Sequence, residues 1–398
     1  MASRPAAPTR GAGALERPLP NIRSSAPVAP LGAGLITNYA GIGQEDQDGP
    51  RDPRPGDSQV SSPLDVAESA VARVLRRSVS IPGYGLLWLL AVALAPLGLP
   101  LLYAVDRAGG GRRARARLWL FAIVFLSYEL AGVAVAGLLW LATLVWPGFK
   151  GGRAAAAHTR LQSWWAIGLF RAAARILRLT LEVEGASALQ PGPLIVLMRH
   201  ASVADTLLPA VVIASHGIRL RYVLKRELLW DPCLDVVGQR LPNAFIRRGS
   251  GDSQAEVDRI AELGRNLAPD EGVLIYPEGT RFTPEKRARA LARIAASGRP
   301  NLVARAHELT AVLPPRTAGL LALLDASKDA DVLVLAHTGL EGLANVADIL
   351  RLGASERHIR VRLWRVPRAS IPAGHDMRVR WLYDEWARVD AFVTAGVR

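Results

Sequence analysis

The sequence predicts an α/β fold, a mostly parallel central sheet flanked by helices, preceded by an N-terminal membrane-embedded helical hairpin. Three observations carry this expectation. Two early apolar stretches are long enough to enter a bilayer core, which takes about 20 apolar residues. From about residue 179 onward, short β-type apolar runs alternate with helical periods, the pattern of a sheet covered by helices. Polar motifs directly follow two of those runs, where open α/β sheets bind ligands. The balance of charge agrees: 49 Lys+Arg against 35 Asp+Glu leave +14 on a chain that is 50% hydrophobic, which points to anionic partners such as a membrane surface or nucleic acid. The single cysteine, Cys233, excludes an intramolecular disulfide framework.

The first segment, read as residues 1–79, holds stretches such as RPAAPTRGAGALERPLP and QEDQDGPRDPRPGDSQVSSP with no sustained apolar period, and a disordered tail is expected. No apolar core sits near Met1, so no secretory signal is expected.

Residues 80–150 form the hairpin. The run from 118 to 149 reads as a transmembrane helix, whereas the run from 83 to 105 carries Pro96 and Pro100, each of which removes a hydrogen bond that lipid cannot replace. A kinked span or a re-entrant half-span both fit it. The linker between them holds Arg107, Arg112, Arg113, Arg115 and Arg117, and the flanks hold Arg73, Arg76, Arg77, Lys150 and Arg153. A monotopic hairpin that enters and leaves by the cytoplasmic face satisfies all these charges under the positive-inside rule; two full spans are the alternative. Glu129 inside the second run is either a functional intramembrane group or a neutral or paired carboxyl facing the other helix.

Residues 151–180 predict a basic amphipathic helix. Arg160, Arg171, Arg175 and Arg178 share one face and Trp165, Leu169 and Ile176 the other. Such a helix either lies on an anionic membrane interface or packs on the folded domain with its basic face in water.

The domain from 181 to 398 follows. The runs LTLEVEG, PLIVLM, RYVLK, AFIRR, GVLIY and DVLVLAH predict strands, and DTLLPAVVIASHG and DSQAEVDRIAELGRNLA predict helices. If PLIVLM is a strand, RHASVAD (199–205) sits at its carboxyl end, and YPEGTRF occupies the same place after GVLIY. His200 and Asp205 lie about 140° apart on a continuous helix, so they meet only across a turn. A carboxylate on one imidazole nitrogen would fix the tautomer and leave the other nitrogen to take a proton. The competing reading makes Asp205 or Thr206 a helix N-cap, with Pro209 in the first turn, and leaves the histidine without a role.

RHASVAD matches the H-x-x-x-x-D motif of the glycerolipid acyltransferases, and NAFIRR, YPEGTR and VLPPRTAG resemble that family's later blocks, in order. The segments RYVLKRELLW and WLYDEWARVDAF are similar to the branch that includes lysocardiolipin acyltransferases. The resemblance covers roughly residues 180 to 390. It implies acyl transfer from a thioester, acyl-CoA or acyl carrier protein, to a lysophospholipid hydroxyl, with 1-acyl-sn-glycerol 3-phosphate as the expected acceptor and phosphatidic acid as product. It implies His200 as base and Asp205 as its orienter, with Arg248, Arg281 and Lys225 as phosphate-binding cations. Glu278 would hold Arg281 or nearby backbone N–H groups, Gly279 would let the backbone come close to the ligand, Thr280 would support the motif, and Pro314 would shape the acyl-donor wall, although PPR departs from the shorter Pro-Val form of many members.

No cofactor is expected, and acyl-CoA serves as co-substrate. The histidines at 200, 216, 307, 337, 358 and 375 show no metal-ligand spacing. Ser202 and Cys233 lack a neighbouring base and read as structural. The expected partner is a phospholipid membrane, with the catalytic domain on its cytoplasmic face. Remodelling of lysocardiolipin or lysophosphatidylinositol is the alternative within the class. A non-catalytic membrane tether for anionic lipid or nucleic acid is the alternative outside it, but no nucleic-acid motif is present and no nucleic-acid partner is expected.

Overall fold

The computed structural model describes residues 22–24, 68–108, 114–246, 254–341 and 356–397. Two corrections to the reading of 1–79 as a tail come first. Ile22–Ser24 forms a short edge strand, β1, and the first helix, α1, already starts at Ala70 and runs to Ala93. Ser69 caps it by accepting from the Ala72 N–H at 3.1 Å, so the polar stretch before the apolar run is helical too.

Helix α1 breaks at Leu94, and α2 (Ala95–Ala108) leaves at an angle of 67°. Pro96 lies at the break, where it has no N–H to return to Val92; Pro100 sits inside α2 without a second break. Asp106 then accepts from the N–H groups of Arg115 and Ala116 at 3.0 and 3.2 Å and so starts α3 (Ala114–Val145). Trp119 donates to the Ala91 carbonyl at 3.1 Å and Trp88 to Ser127 Oγ at 2.8 Å, which pins the hairpin together. Within α3, Arg115–Val145 is long and apolar enough to cross a membrane, and the bent α1–α2 pair passes the same test only when taken together.

Helix α4 (Gly152–Leu177) returns along α3. Leu161, Trp165, Leu169 and Phe170 are buried against α3 and the domain, so its apolar face meets protein and not lipid, a correction to the interfacial placement. Periodicity alone does not distinguish the two surfaces, because each presents the same apolar demand.

The remaining chain builds β2 (Leu179–Glu184), β3 (Leu194–Met198), the short α5 (Leu208–Val212), β4 (Arg219–Lys225), α6 (Pro232–Gly238), β5 (Ala244–Ile246), α7 (Gln254–Leu263) and β6 (Glu271–Ile275). After these come α8 (Pro284–Ala295), α9 (Pro300–Glu308), α10 (Ala318–Ala326), β7 (Asp331–Thr338), β8 (Arg357–Val366) and α11 (His375–Val397). The sheet order is β1-β2-β8-β7-β3-β6-β4-β5, parallel at every pairing except β7 with β8. Every predicted strand is present; β8 was not foreseen.

Strand β3 is buried on both faces. Ile195 and Leu197 join a core with α7, α10 and α11, while Leu194, Val196 and Met198 join another with α4 and α5. Full burial of such a side chain contributes about 1.5–3 kcal/mol, which makes β3 and its neighbours the rigid centre from which the polar motifs project.

Glu129 does not face the other hairpin helix. Its fully buried carboxyl accepts from Trp165 Nε1 of α4 at 2.9 Å and from the Cys233 N–H at the start of α6 at 3.1 Å, so it joins α3 to the domain. Burial beside Glu129 and Asp231 pushes the Cys233 thiol up, which suits a structural role. Arg76 and Arg77 of α1 both pair with the buried Asp235 of α6, and Arg76 also holds Glu68 and the Leu229 carbonyl.

Candidate active site

Strands β3, β6 and β4 run parallel, and their carboxyl ends lie side by side. RHASVAD leaves β3 and YPEGTRF leaves β6. Beyond Met198 the chain turns at once, and His200 Nδ1 comes to 3.0 Å from Asp205 Oδ1. The other carboxylate oxygen accepts from the N–H groups of Ala201 and Ser202, each at 2.7 Å. Asp205 therefore folds back onto its own loop and does not cap α5, which overturns the N-cap reading; three convergent donors outbid one helix end. Pro209 does fall in the first turn of α5. Thr206 only donates to the Val203 carbonyl, at 2.8 Å.

Asp205 is fully buried. Burial alone would raise its pKa, but hydrogen bonds from His200 and His337 hold it well below the usual carboxylate range. His337 stands at the end of β7, donates from Nε2 toward the Arg199 carbonyl at 3.1 Å, and lies 3.5 Å from Asp205 Oδ2. Among the described residues, nothing bonds to His200 Nε2. The Tyr276 ring covers the imidazole, with centroids 4.6 Å apart.

Glu278 ties the two motifs together. One oxygen accepts from the His200 N–H and the other from the Leu313 N–H, both at 2.9 Å. The choice left open between Arg281 and backbone N–H groups is answered by these two bonds. Burial pushes its carboxyl up to about 7, against the opposing pull of Arg199 and the two N–H groups. Gly279 closes the turn by donating to the Tyr276 carbonyl at 2.9 Å with φ +67°. That backbone favours glycine, and a Cβ there would also lie 2.8 Å from Arg316 Nε.

The cations gather around this turn. Arg281 is half-buried beside it, and Lys286 Nζ donates to Thr280 Oγ1 and the Arg281 carbonyl at 3.2 and 3.1 Å. Arg316 is exposed above Gly279 and anchored by its own N–H to the Pro277 carbonyl at 2.8 Å. Lys225 ends β4, two strands from β3. Arg248 lies outside the described residues. Pro314 is buried in the loop before α10, whose N–H groups at Thr310, Ala311 and Val312 converge on Asp390 Oδ1 of α11 at 2.6–3.0 Å.

Sequence reasoning missed Arg199, Lys286, Arg316, His337 and Asp390. Arg316 stood inside the VLPPRTAG block and Arg199 inside RHASVAD, so both could have been flagged. Arg199 is almost wholly buried and donates to the carbonyls of His337 and Ala311 and to Glu341, which fastens the first block to β7 and to the residue just before the fourth block.

Residues 180–317 match the family model described as Acyltransferase. A lyso-ornithine lipid O-acyltransferase of Pseudomonas aeruginosa is 29% identical over 187 residues, 46% of this chain and 64% of that protein. Lysophosphatidylinositol acyltransferase 10 of Caenorhabditis elegans is 22% identical over 204 residues, 45% of this chain and 50% of that protein. The chain thus spans less than two thirds of the length of either relative. The crystal structure of the 1-acyl-sn-glycerophosphate (LPA) acyltransferase PlsC from Thermotoga maritima aligns with a TM-score of 0.41 at 15% identity, over 67% of this chain and 96% of that one. The family match lies over the strands that carry the first three motifs, two of which are joined through Glu278, and over this region the chain is similar to the acyltransferases.

Proposed function

We propose that the protein is a membrane-bound O-acyltransferase that moves a fatty acyl group from acyl-CoA to the free hydroxyl of 1-acyl-sn-glycerol 3-phosphate, giving phosphatidic acid and coenzyme A. The observation that carries this reading is the His200–Asp205 pair, with Nδ1 held at 3.0 Å and Nε2 left available. In the reaction, Nε2 accepts the hydroxyl proton while the oxygen attacks the thioester carbonyl. The buried carboxylate of Asp205 stabilises the imidazolium so formed. The tetrahedral adduct collapses with loss of the thiolate, which takes the proton back from His200, so the enzyme ends as it began.

Arg281 and Arg316 supply guanidinium forks for the acceptor phosphate, with Lys286 and Lys225 adding positive charge. Arg248 is proposed for the same task from the family motif alone. The apolar side of the crevice, where Tyr276 and Gly279 border a small cavity walled by Val223, Ile246 and Ile260, suits an acyl chain. The hairpin embeds the chain in a membrane, and the monotopic arrangement is favoured because the middle of α3 is bound to protein through Glu129. The catalytic domain then lies on the cytoplasmic face.

The test is transfer of labelled acyl groups from acyl-CoA to lysophosphatidate by the purified chain, with lysophosphatidylinositol and lyso-ornithine lipid as competing acceptors. Loss of a general base costs about 10²–10⁴ in rate, and His200→Ala should show that loss in a variant that still unfolds cooperatively. Undiminished transfer by His200→Ala, or no transfer to any lysolipid by the folded wild type, removes the reading.

A further inference from the structure

A second cavity, of about 530 Å³, opens between α3, α4 and the start of β4. Arg219, the first residue of β4, lines it, so it lies toward the amino ends of the parallel strands, opposite the carboxyl ends that carry His200. Its α4 wall carries Arg160, Arg171 and Arg175. The charges on this wall differ from that of Arg219, which Asp270 and Glu271 already neutralise. Among the described residues, Arg171 and Arg175 make no ion pair, and like charges one turn apart disfavour a helix unless an anion joins them.

The rest of the wall is aromatic and apolar. Tyr128 of α3 packs directly on Gly168, where a Cβ would come within 2.4 Å of its ring. Its ring centroid lies 5.0 Å from that of Trp164, which remains 47% exposed on the rim. Val124 of α3 and Ile167 of α4 continue this surface, and α3 is the helix long enough to cross a membrane. An amphipathic indole beside paired arginines and an apolar helix is suited to the boundary between lipid headgroups and tails.

We propose that this cleft binds one anionic phospholipid, its headgroup phosphate on Arg171 and Arg175 and its acyl chains against α3. The site is separate from the acyl-transfer crevice and does not depend on which acceptor that crevice uses. Charge complementarity selects the occupant: a zwitterionic lipid leaves the two arginines without net compensation.

The experiment uses the full chain purified in nonionic detergent and titrated with phosphatidylglycerol. Phosphatidylcholine serves as the neutral lipid and inorganic phosphate as the headgroup without tails, and native mass spectrometry reads what is retained. One phosphatidylglycerol should be retained by the wild type, and Arg171→Gln/Arg175→Gln should lose at least about tenfold in affinity, as expected for two charge-assisted contacts. Both residues are exposed, and the melting temperature of the variant checks its fold. Equal retention by variant and wild type, equal retention of phosphatidylcholine, or no retained lipid overturns the proposal. Retention of phosphate in place of lipid overturns it as well and leaves a free-anion site.

Discussion

The carboxyl of Glu278 faces two opposed demands, since its two N–H donors favour the charged form and its complete burial favours the neutral one. Burial prevails and raises its pKa from 4.5 to about 7. The folded state therefore holds this proton more tightly than the unfolded chain does. The associated stability is fully present below about 4.5 and is lost as pH rises through about 7. Melting temperatures measured across that window should fall with pH in the wild type and fall less in Glu278→Gln; parallel curves would contradict the assignment. Asp205 works in the opposite sense: its pKa is depressed, so its contribution is present above the unfolded value of 3.8 and is lost as the pH falls below it. The two titrations can thus be separated by pH. The cations give a kinetic prediction at the same level. A charge-assisted hydrogen bond is worth about 1.5–3 kcal/mol, so Arg281→Ala and Arg316→Ala should each raise the acceptor KM by roughly tenfold or more and leave the acyl-donor KM nearly unchanged. Equal rises for both substrates would remove the phosphate role.

The turn after β6 is a local element whose shape matters more than its composition. Gly279 holds φ +67° with the Arg316 side chain pressed against it, and a left-handed alanine costs about 1–2 kcal/mol before any clash. Gly279→Ala should lower unfolding free energy in urea by at least that amount and displace Arg316, so that acceptor KM rises as well. A variant with wild-type stability and KM would show that the turn tolerates a side chain. The same element shows what the sequence makes legible. PLIVLM and GVLIY could be read as strands because both faces are covered by helices, which forces a continuous apolar run. RHIRVRLWRV hid β8, because Ile359, Val361 and Leu363 alternate with Arg360, Arg362 and Trp364. The second face looks like surface until Phe392 is found beneath Arg362 and Arg388 stacks on Trp364, each at 4.7 Å. His200, Asp205 and Glu278 were legible through motif spacing. His337 and Asp390 were not, since each acquires its meaning from a partner far away in the chain, as Asp390 does from the N–H groups of Thr310 to Val312.

Across the whole molecule, the hairpin is bound to the domain by charge at one end and by Glu129 in the middle. The basic flank that positive-inside reasoning assigned to the cytoplasmic surface is partly consumed here, since Arg76 and Arg77 face Asp235 and not lipid phosphates. Removing one partner of a buried pair leaves the other charge uncompensated, at a cost of about 3–5 kcal/mol. Asp235→Asn should accordingly lower the melting temperature in detergent and expose the α1–α6 contact to protease, whereas an exposed pair such as Arg178–Glu356 should tolerate Glu356→Gln with little change. Similar effects from both substitutions would show that the clamp is not special. Among the described residues, α1 clamped in this way and α3 bound through Glu129 tie the hairpin to the catalytic sheet at two places. Under the membrane-bound reading, the altitude of His200 above the lipid is set once, when the chain folds. Each acceptor must then climb that distance out of its own leaflet before its hydroxyl can meet the imidazole.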